Sequence, residues 1–269
     1  MRVAVVTPYY KEPEEILRQC HESVLAQTYA CDHILVSDGF PKPVVSTWKV
    51  EHFTLPKAHA DAGNMGRVVG SISAFARGYD AVAFLDADNW YDKDHIRNLV
   101  DLQSRTGAAV CIARRSMHRL DGSYMFEDDK SDGRKHVDTN CIFLTRAALP
   151  LVARWAHMPR QLWPVGDSVY WSSIKTSGLP LARLERSTVH YRTTWESDYR
   201  RMGEVLPEGC KNIEVTDRPF RWFKALPAAE RWRIWREFGF PLRRRSVARL
   251  VVQQALSSLS PFSVAKAKR

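Results

Sequence analysis

No window of ~18 residues in this chain is both uncharged and predominantly apolar, which excludes a membrane-spanning helix on sequence grounds. The opening residues, MRVAVVTPYY, have neither a long apolar centre nor a small-residue cleavage site, so they do not read as a secretory signal. A cytoplasmic protein is the expectation. Cysteine is scarce: Cys20, Cys31, Cys111, Cys141 and Cys210 are odd in number, scattered, and include no C-x-x-C pair. That excludes a disulfide framework or a cysteine zinc site and fits reduced thiols. Glycine is missing from the turn after the first apolar run, Thr7-Pro8-Tyr9-Tyr10, where a nucleotidyltransferase would need a glycine-rich phosphate loop. Internal repeats are absent as well.

What is present is length, a core and positive charge. A chain of 269 residues, 45% hydrophobic, accommodates one large α/β domain with an appendage, or two modest domains. The net charge of +10 and a pI near 9.5 favour an anionic partner, whether nucleotide, phospholipid surface or nucleic acid.

The chain is organised around the stretch AVAFLDADNWYDKDHIRNLVDLQSR, residues 81–105. Its apolar opening has the character of a buried strand and ends in Asp86-Ala87-Asp88. In an extended backbone residues i and i+2 share a side, so the two carboxylates converge while Ala87 turns away. Such a pair suits a hard divalent cation. Asp92 then reads as a helix N-cap, Tyr91 and Ile96 as a hydrophobic staple, and Ile96, Leu99 and Val100 as one helical face.

Similar runs occur on both sides of this stretch. Residues 3–6 and 34–36 read as buried strands, joined by a helix whose stripe is Ile16, Leu17, Cys20 and Val24. A third strand lies within residues 44–55. A polar, glycine-rich loop follows over 56–67, then a helix through Val68, Val69, Ile72 and Phe75 that closes at Gly78. Residues 108–113, 141–144 and 188–192 read as further strands, and 168–176 as a helix. Residues 114–135 read as a long charged loop. The order of strands and helices indicates an α/β sheet, mostly parallel and Rossmann-like, with helices on both faces. From about Asp217 the composition turns to Arg and Trp, dividing the chain into a domain over 1–216 and a basic helical appendage over 217–269. In the appendage Val247, Leu250, Val251 and Leu259 lie near one face of a basic helix of the kind that rests on anionic membranes, or that packs its tryptophans on the domain.

With these pieces in order, residues 1–195 resemble family 2 glycosyltransferases of the GT-A fold. The resemblance rests on VAVVTPYYKEPEEILRQCHESVLAQTY with its Ser-Val-Leu-x-Gln at 23–27, on ILVSDG, on GNMGRVVGSISAFARGYDAVAFLDADNW with its D-x-D, and on GDSVYW. The chain departs from the family pattern at Ser37, where an aspartate is usual, and lacks the usual asparagine near Tyr10 and Lys11.

The resemblance implies transfer of a sugar from a UDP- or GDP-type donor to a saccharide or lipid-linked acceptor, with inversion and with Mn²⁺ or Mg²⁺. It further implies metal ligation by Asp88 with Asp86 and, as in some members, a histidine from the late strand, here His190. Asp167 is the expected general base, although an aspartate before a helix is also an ordinary N-cap. Arg67 is preferred to Arg77 for the diphosphate, because it opens a helix where backbone N–H groups also face an anion. Thr7, Pro8, Tyr9 and Asp38 are expected beside the nucleotide, with Tyr9 stacking and Asp38 hydrogen bonding. Asp61 and Asn64 are expected near the ribose or phosphates, Ala87 within the D-x-D turn, and Asp138 and Asn140 beside the donor sugar. The expected setting is cell-surface polysaccharide or glycolipid assembly, with peripheral contact at the inner membrane face through 217–269 and no nucleic acid partner. The rival readings are a basic nucleic-acid- or membrane-binding protein without turnover, and a nucleotidyltransferase.

Overall fold

The computed structural model describes residues 1–241. One nine-stranded sheet runs through the whole domain. Four strands form its parallel half: β1 (Val3–Tyr9), β2 (Cys31–Ser37), β3 (Glu51–Thr54) and β4 (Ala81–Phe84), in the spatial order β3-β2-β1-β4. All of β1 and β4 is buried, as their continuous apolar runs require. Helix α1 (Glu14–Leu25) carries the chain from β1 to β2, and α2 (Asn64–Ala76) from β3 to β4. Pro13 precedes α1, Glu14 and Glu15 occupy its positive end, and Leu17, Cys20 and Val24 face the core. Helix α2 lies unusually close to β1. A Cβ on Gly70 would stand 2.5 Å from Val6 Cγ1, and one on Gly66 2.7 Å from Pro8 Cβ, so only glycine permits this approach. The carboxyl ends of the parallel strands therefore share one edge with the N-terminus of α2, where anionic ligands of such sheets gather.

The other half of the sheet is mixed. Strand β5 (Trp90–Tyr91) and α3 (His95–Thr106) follow β4, then β6 (Val110–His118), β7 (Tyr124–Glu127) and β8 (Ile142–Thr145). Helices α4 (Leu149–His157) and α5 (Gly166–Thr176) lead to β9 (Leu181–Arg192), and α6 (Glu196–Met202) follows it. Strand β8 pairs antiparallel with both β4 and β6, while β6 and β9 run parallel to each other.

Four expectations change. Residues 114–135 are not one loop, because β6 continues to His118 and turns into β7, which pairs antiparallel with it. The polar residues that concealed this strand, Arg115, Ser116 and His118, are buried and find partners across the sheet. Helix α3 begins three residues after Asp92, which accepts the Asp94 N–H at 3.0 Å in the turn before the helix. His95, rather than Ile96, stacks on Tyr91, with centroids 3.8 Å apart. Helix α5 begins at Gly166, so Asp167 lies inside its first turn.

Two further helices, α7 (Glu214–Ala225) and α8 (Ala228–Phe238), end the described chain. Asp217, the expected boundary, falls within α7. Phe223, Ile234, Phe238 and Phe240 join the main core, and Trp222 packs against it, whereas Trp232 and Trp235 stack on each other with centroids 4.9 Å apart. The expected helix through Val247, Leu250, Val251 and Leu259 lies outside the described residues. No helix among the described residues is long and apolar enough to cross a membrane.

Candidate active site

Two cavities open at the carboxyl edge of the parallel strands, and they share Ala62, Arg67 and Asp86. The smaller, about 400 Å³, lies between the ends of β1 and β2 and the acidic turn, lined by Pro8, Tyr9, Asp38, Ala87 and Asp88 among others. The larger, about 740 Å³, extends over Asn64, Arg115, Asp138 and Asp167 towards Trp163 and Trp195.

Arg67 is central to both. It lies in the second turn of α2, 5% exposed, and donates to Ala62 O at 2.8 Å and to Asp86 Oδ1. Burial opposes its charge, but Asp86, Asp167 and Asp138 outweigh that cost and raise its pKa further. Its Nε and the Asn64 Nδ2 are buried without hydrogen-bond partners. Two orphaned donors at a cavity fit an anionic, oxygen-rich ligand. Arg77, by contrast, sits at the far end of α2 and pairs with Glu51.

The acidic turn is not an extended strand, since β4 ends at Phe84 and Asn89 N–H donates to Asp86 O at 3.0 Å. Both carboxylates nonetheless line the smaller cavity. Asn140 locks Asp86 by accepting its N–H at 2.5 Å and donating Nδ2 to Oδ2 at 3.1 Å. Asp88 is pushed up to about 7, first by burial and then by repulsion from Asp86 and Glu12, which Lys211 offsets only in part. A carboxylate so placed fits a hard divalent cation, which would relieve the repulsion.

That environment makes a stability prediction. A carboxyl whose folded pKa lies above its unfolded value of ~3.9 carries no penalty well below pH 4, and the penalty grows as pH rises towards about 7 and is complete above it. Asp88→Asn is therefore expected to stabilise the chelator-treated protein by about 1–2 kcal/mol at pH 8, below the full ~1.4 per unit because the group is part-exposed. The gain should vanish near pH ~3, below the unfolded carboxyl's pKa, and equal melting shifts at both pH values would contradict it.

Asp167 lies at the N-terminal turn of α5 and accepts from Thr139 Oγ1. Burial raises its pKa, Thr139 opposes this, and Asp86 adds to it. Asp138 is fully enclosed: it pairs with Arg115 and accepts from Asn140 N at 2.9 Å. Burial is again the first cause of its raised pKa, with Arg115 opposing. Ligand atoms of His136, Asp138 and Asp167 lie within 4.8 Å of one another. Burial and Arg115 lower the His136 pKa to about 4, so the imidazole stays neutral. Because Arg115 already balances Asp138, this trio fits a cation less well than Asp88 does.

Several expected contacts lie elsewhere. Thr7 is fully buried below the cavities, its hydroxyl 2.9 Å from His33 Nε2. Tyr9 lines the smaller cavity but is 2% exposed and bonds His52 Nε2 at 2.8 Å, which leaves little ring for stacking. Both carboxylate oxygens of Asp38 accept backbone N–H groups, from His59 and Ala60 at 2.8 Å each, so this residue braces a loop. That loop holds Ala60 and Ala62 at positive φ, 49° and 59°. Asp61 caps α2, accepting the Met65 N–H at 2.8 Å. His190 lines neither cavity: it hydrogen-bonds Ser116 at 3.1 Å and His118 at 3.1 Å and stacks on Trp90. Its neighbouring carboxylates are Asp92 and Glu127.

Sequence reading missed Arg115, which bridges Asp128 at 2.6 Å and Asp138 and lies 4.2 Å from the Tyr191 ring centre. It also missed Asp128, His136 and Thr139. The one signal for them was HVDTN, in which Asp138 and Asn140 already stood out.

Comparison with known proteins decides the family. The model of glycosyl transferase family 2 matches residues 4–145, more than half of the chain. The chain belongs to this family. Among relatives of the family 2 chain is the succinoglycan biosynthesis protein ExoW of Rhizobium meliloti (strain 1021), 31% identical over 114 residues. That match covers 40% of this chain and spans about a third of the relative, 35%. Among solved structures, S. aureus TarS 1-349 in complex with UDP superposes with a TM-score of 0.56 at 12% identity, covering 88% of this chain and 70% of that one. The same protein in complex with UDP-GlcNAc gives 0.52 at 11% identity, over 72% and 59%. These structures show a shared fold, and the mixed α/β sheet described above is that fold.

Proposed function

We propose that this family 2 chain is a glycosyltransferase, moving a sugar from a nucleoside diphosphate sugar to an acceptor hydroxyl in surface polysaccharide or glycolipid synthesis. The observation that carries the reading is the meeting of two cavities at Arg67 and Asp86. The smaller has the size and position for a nucleotide, and the larger for a transferred sugar and a saccharide or lipid-linked acceptor. Arg67, with Asn64, takes the diphosphate and holds the negative charge that grows as it departs. Asp86 and Asp88 are the residues that would hold Mn²⁺ or Mg²⁺. When bound, such an ion stabilises the same departing charge.

Asp167 lines the larger cavity and not the smaller, which supports a base acting on the acceptor from the side opposite the leaving group. A buried carboxylate with a raised pKa is a better proton acceptor than a free one, and direct displacement from that side inverts the anomeric centre. Asp138 and Arg115 stand together beneath the sugar position and fix each other. The aromatic wall of Trp163 and Trp195 offers flat apolar surface to sugar rings.

The test is calorimetry of UDP, GDP and dTDP sugars with Mn²⁺, with Mg²⁺ and with chelator, on the wild type and on Asp88→Ala. The TarS complexes put uridine nucleotides first in the panel. Binding of one nucleotide class that needs metal, weakened at least about tenfold in Asp88→Ala, is expected. No binding under any condition would overturn the enzyme reading.

A further inference from the structure

The excess positive charge of this protein is confined to one end. Residues 218–269 hold 13 Lys and Arg against two Glu, while residues 1–217 hold 27 basic and 28 acidic side chains. A near-neutral domain thus carries a strongly cationic end, a division that donor binding does not require.

Helix α8 shows what that end presents. Ile234 and Phe238, one turn apart, are buried, and α8 packs on α5 through this face. At ~100° per residue, Trp232 lies roughly 160° round the helix from Ile234. Exposed Arg236 lies ~40° from Trp232 and exposed Arg233 ~100° from it, while Trp232 and Trp235 are both half-buried and ~60° apart. The outer surface of α8 is therefore a pair of exposed arginines flanked by two half-buried indoles, with exposed Glu230 at its N-terminal turn. An indole with one apolar end and one polar N–H is stable at the boundary between headgroups and acyl chains, and arginines beside it reach anionic lipid phosphates. Three consecutive arginines, Arg243 to Arg245, follow in sequence.

We infer that α8 docks on an anionic bilayer surface. Trp232 and Trp235 enter the headgroup region, and Arg233 and Arg236 meet the lipid phosphates. Nucleic acid shares the anionic chemistry but fits this face less well. Base stacking needs free aromatic faces, and these two indoles cover one face of each other, with ring planes 27° apart. The inference is independent of the donor reading, because it uses no residue of either cavity.

The test is sedimentation of the full chain with vesicles of phosphatidylglycerol and phosphatidylcholine, with phosphatidylcholine alone, and with a single-stranded oligonucleotide at equal charge. Binding to the anionic vesicles alone is expected, falling with salt. Arg233→Gln with Arg236→Gln should weaken it about 25-fold, from roughly fivefold per arginine. Arg233→Lys with Arg236→Lys should restore it. Trp232→Ser with Trp235→Ser should weaken it at least tenfold with an unchanged melting temperature. Asp88→Ala, which disables the donor site, should bind vesicles as the wild type does, so a failure here and a failure of the enzyme reading remain distinguishable. Wild type that ignores anionic vesicles, binds the oligonucleotide instead, or retains full vesicle binding after loss of the tryptophan pair would overturn the inference.

Discussion

Replacing Asp167 by asparagine is expected to lower kcat for sugar transfer by about 10²- to 10⁴-fold, with donor affinity changed less than about threefold. The argument is geometric first. Asparagine keeps the volume and can still accept from Thr139 Oγ1, so the first turn of α5 stays in place. What it loses is the ability to take a proton from the acceptor. Wild-type activity should also rise with pH above the ordinary carboxylate range, because burial holds the Asp167 proton on longer than in water. A pH–rate profile alongside donor calorimetry checks both parts. Unchanged kcat in the variant would remove Asp167 from the mechanism.

Arg67→Ala should have the largest combined effect. Removing a buried cation leaves Asp86, 30% exposed, without its partner, a cost below the ~3–5 kcal/mol of breaking a fully buried pair. It also removes the guanidinium from beside the Trp155 ring, 4.9 Å from its centre. Thermal unfolding should show the loss directly. Arg67→Lys separates stability from binding: a single ammonium keeps the charge but cannot bridge Ala62 O and Asp86 as the fork does. We expect Arg67→Lys to fold, with donor affinity reduced about 10- to 100-fold in calorimetry. Donor affinity equal to wild type in the lysine variant would place the diphosphate elsewhere.

Much of this architecture was legible because its parts are local. The strands near Val3, Ile34 and Ala81 are apolar runs bounded by turns, and α2 announces itself by Val68, Ile72 and Phe75. The acidic turn at Asp86, the arginine at the head of α2 and the aspartate before Val169 stand out for the same reason. What escaped depends on partners distant in sequence. Arg115 sits in a strand that looked like loop because its charge is neutralised by Asp128 and Asp138, 13 and 23 residues away. Asp38 and Asp61 looked like ligands because nothing local reveals that loop and helix N–H groups already occupy both oxygens of Asp38 and one of Asp61, whose Oδ1 is buried without a hydrogen-bond partner. His190 alternates into one face of β9, and only the pairing with β6 shows that this face carries Ser116 and His118 rather than Asp88. The aromatic wall of the larger cavity arises from elements far apart in the chain, so no spacing rule points to it.

The wall common to both cavities has one more consequence. Arg67 and Asp86 line both cavities, so in the proposed arrangement, with nucleotide on one side and sugar or acceptor on the other, the two ligands would be thermodynamically linked without any hinge or moving lid. Such linkage is reciprocal: whatever factor bound donor adds to acceptor affinity, bound acceptor returns to the donor. A dissociation constant measured for either one alone therefore describes only one corner of a square, and the square closes when each is titrated in the presence of the other.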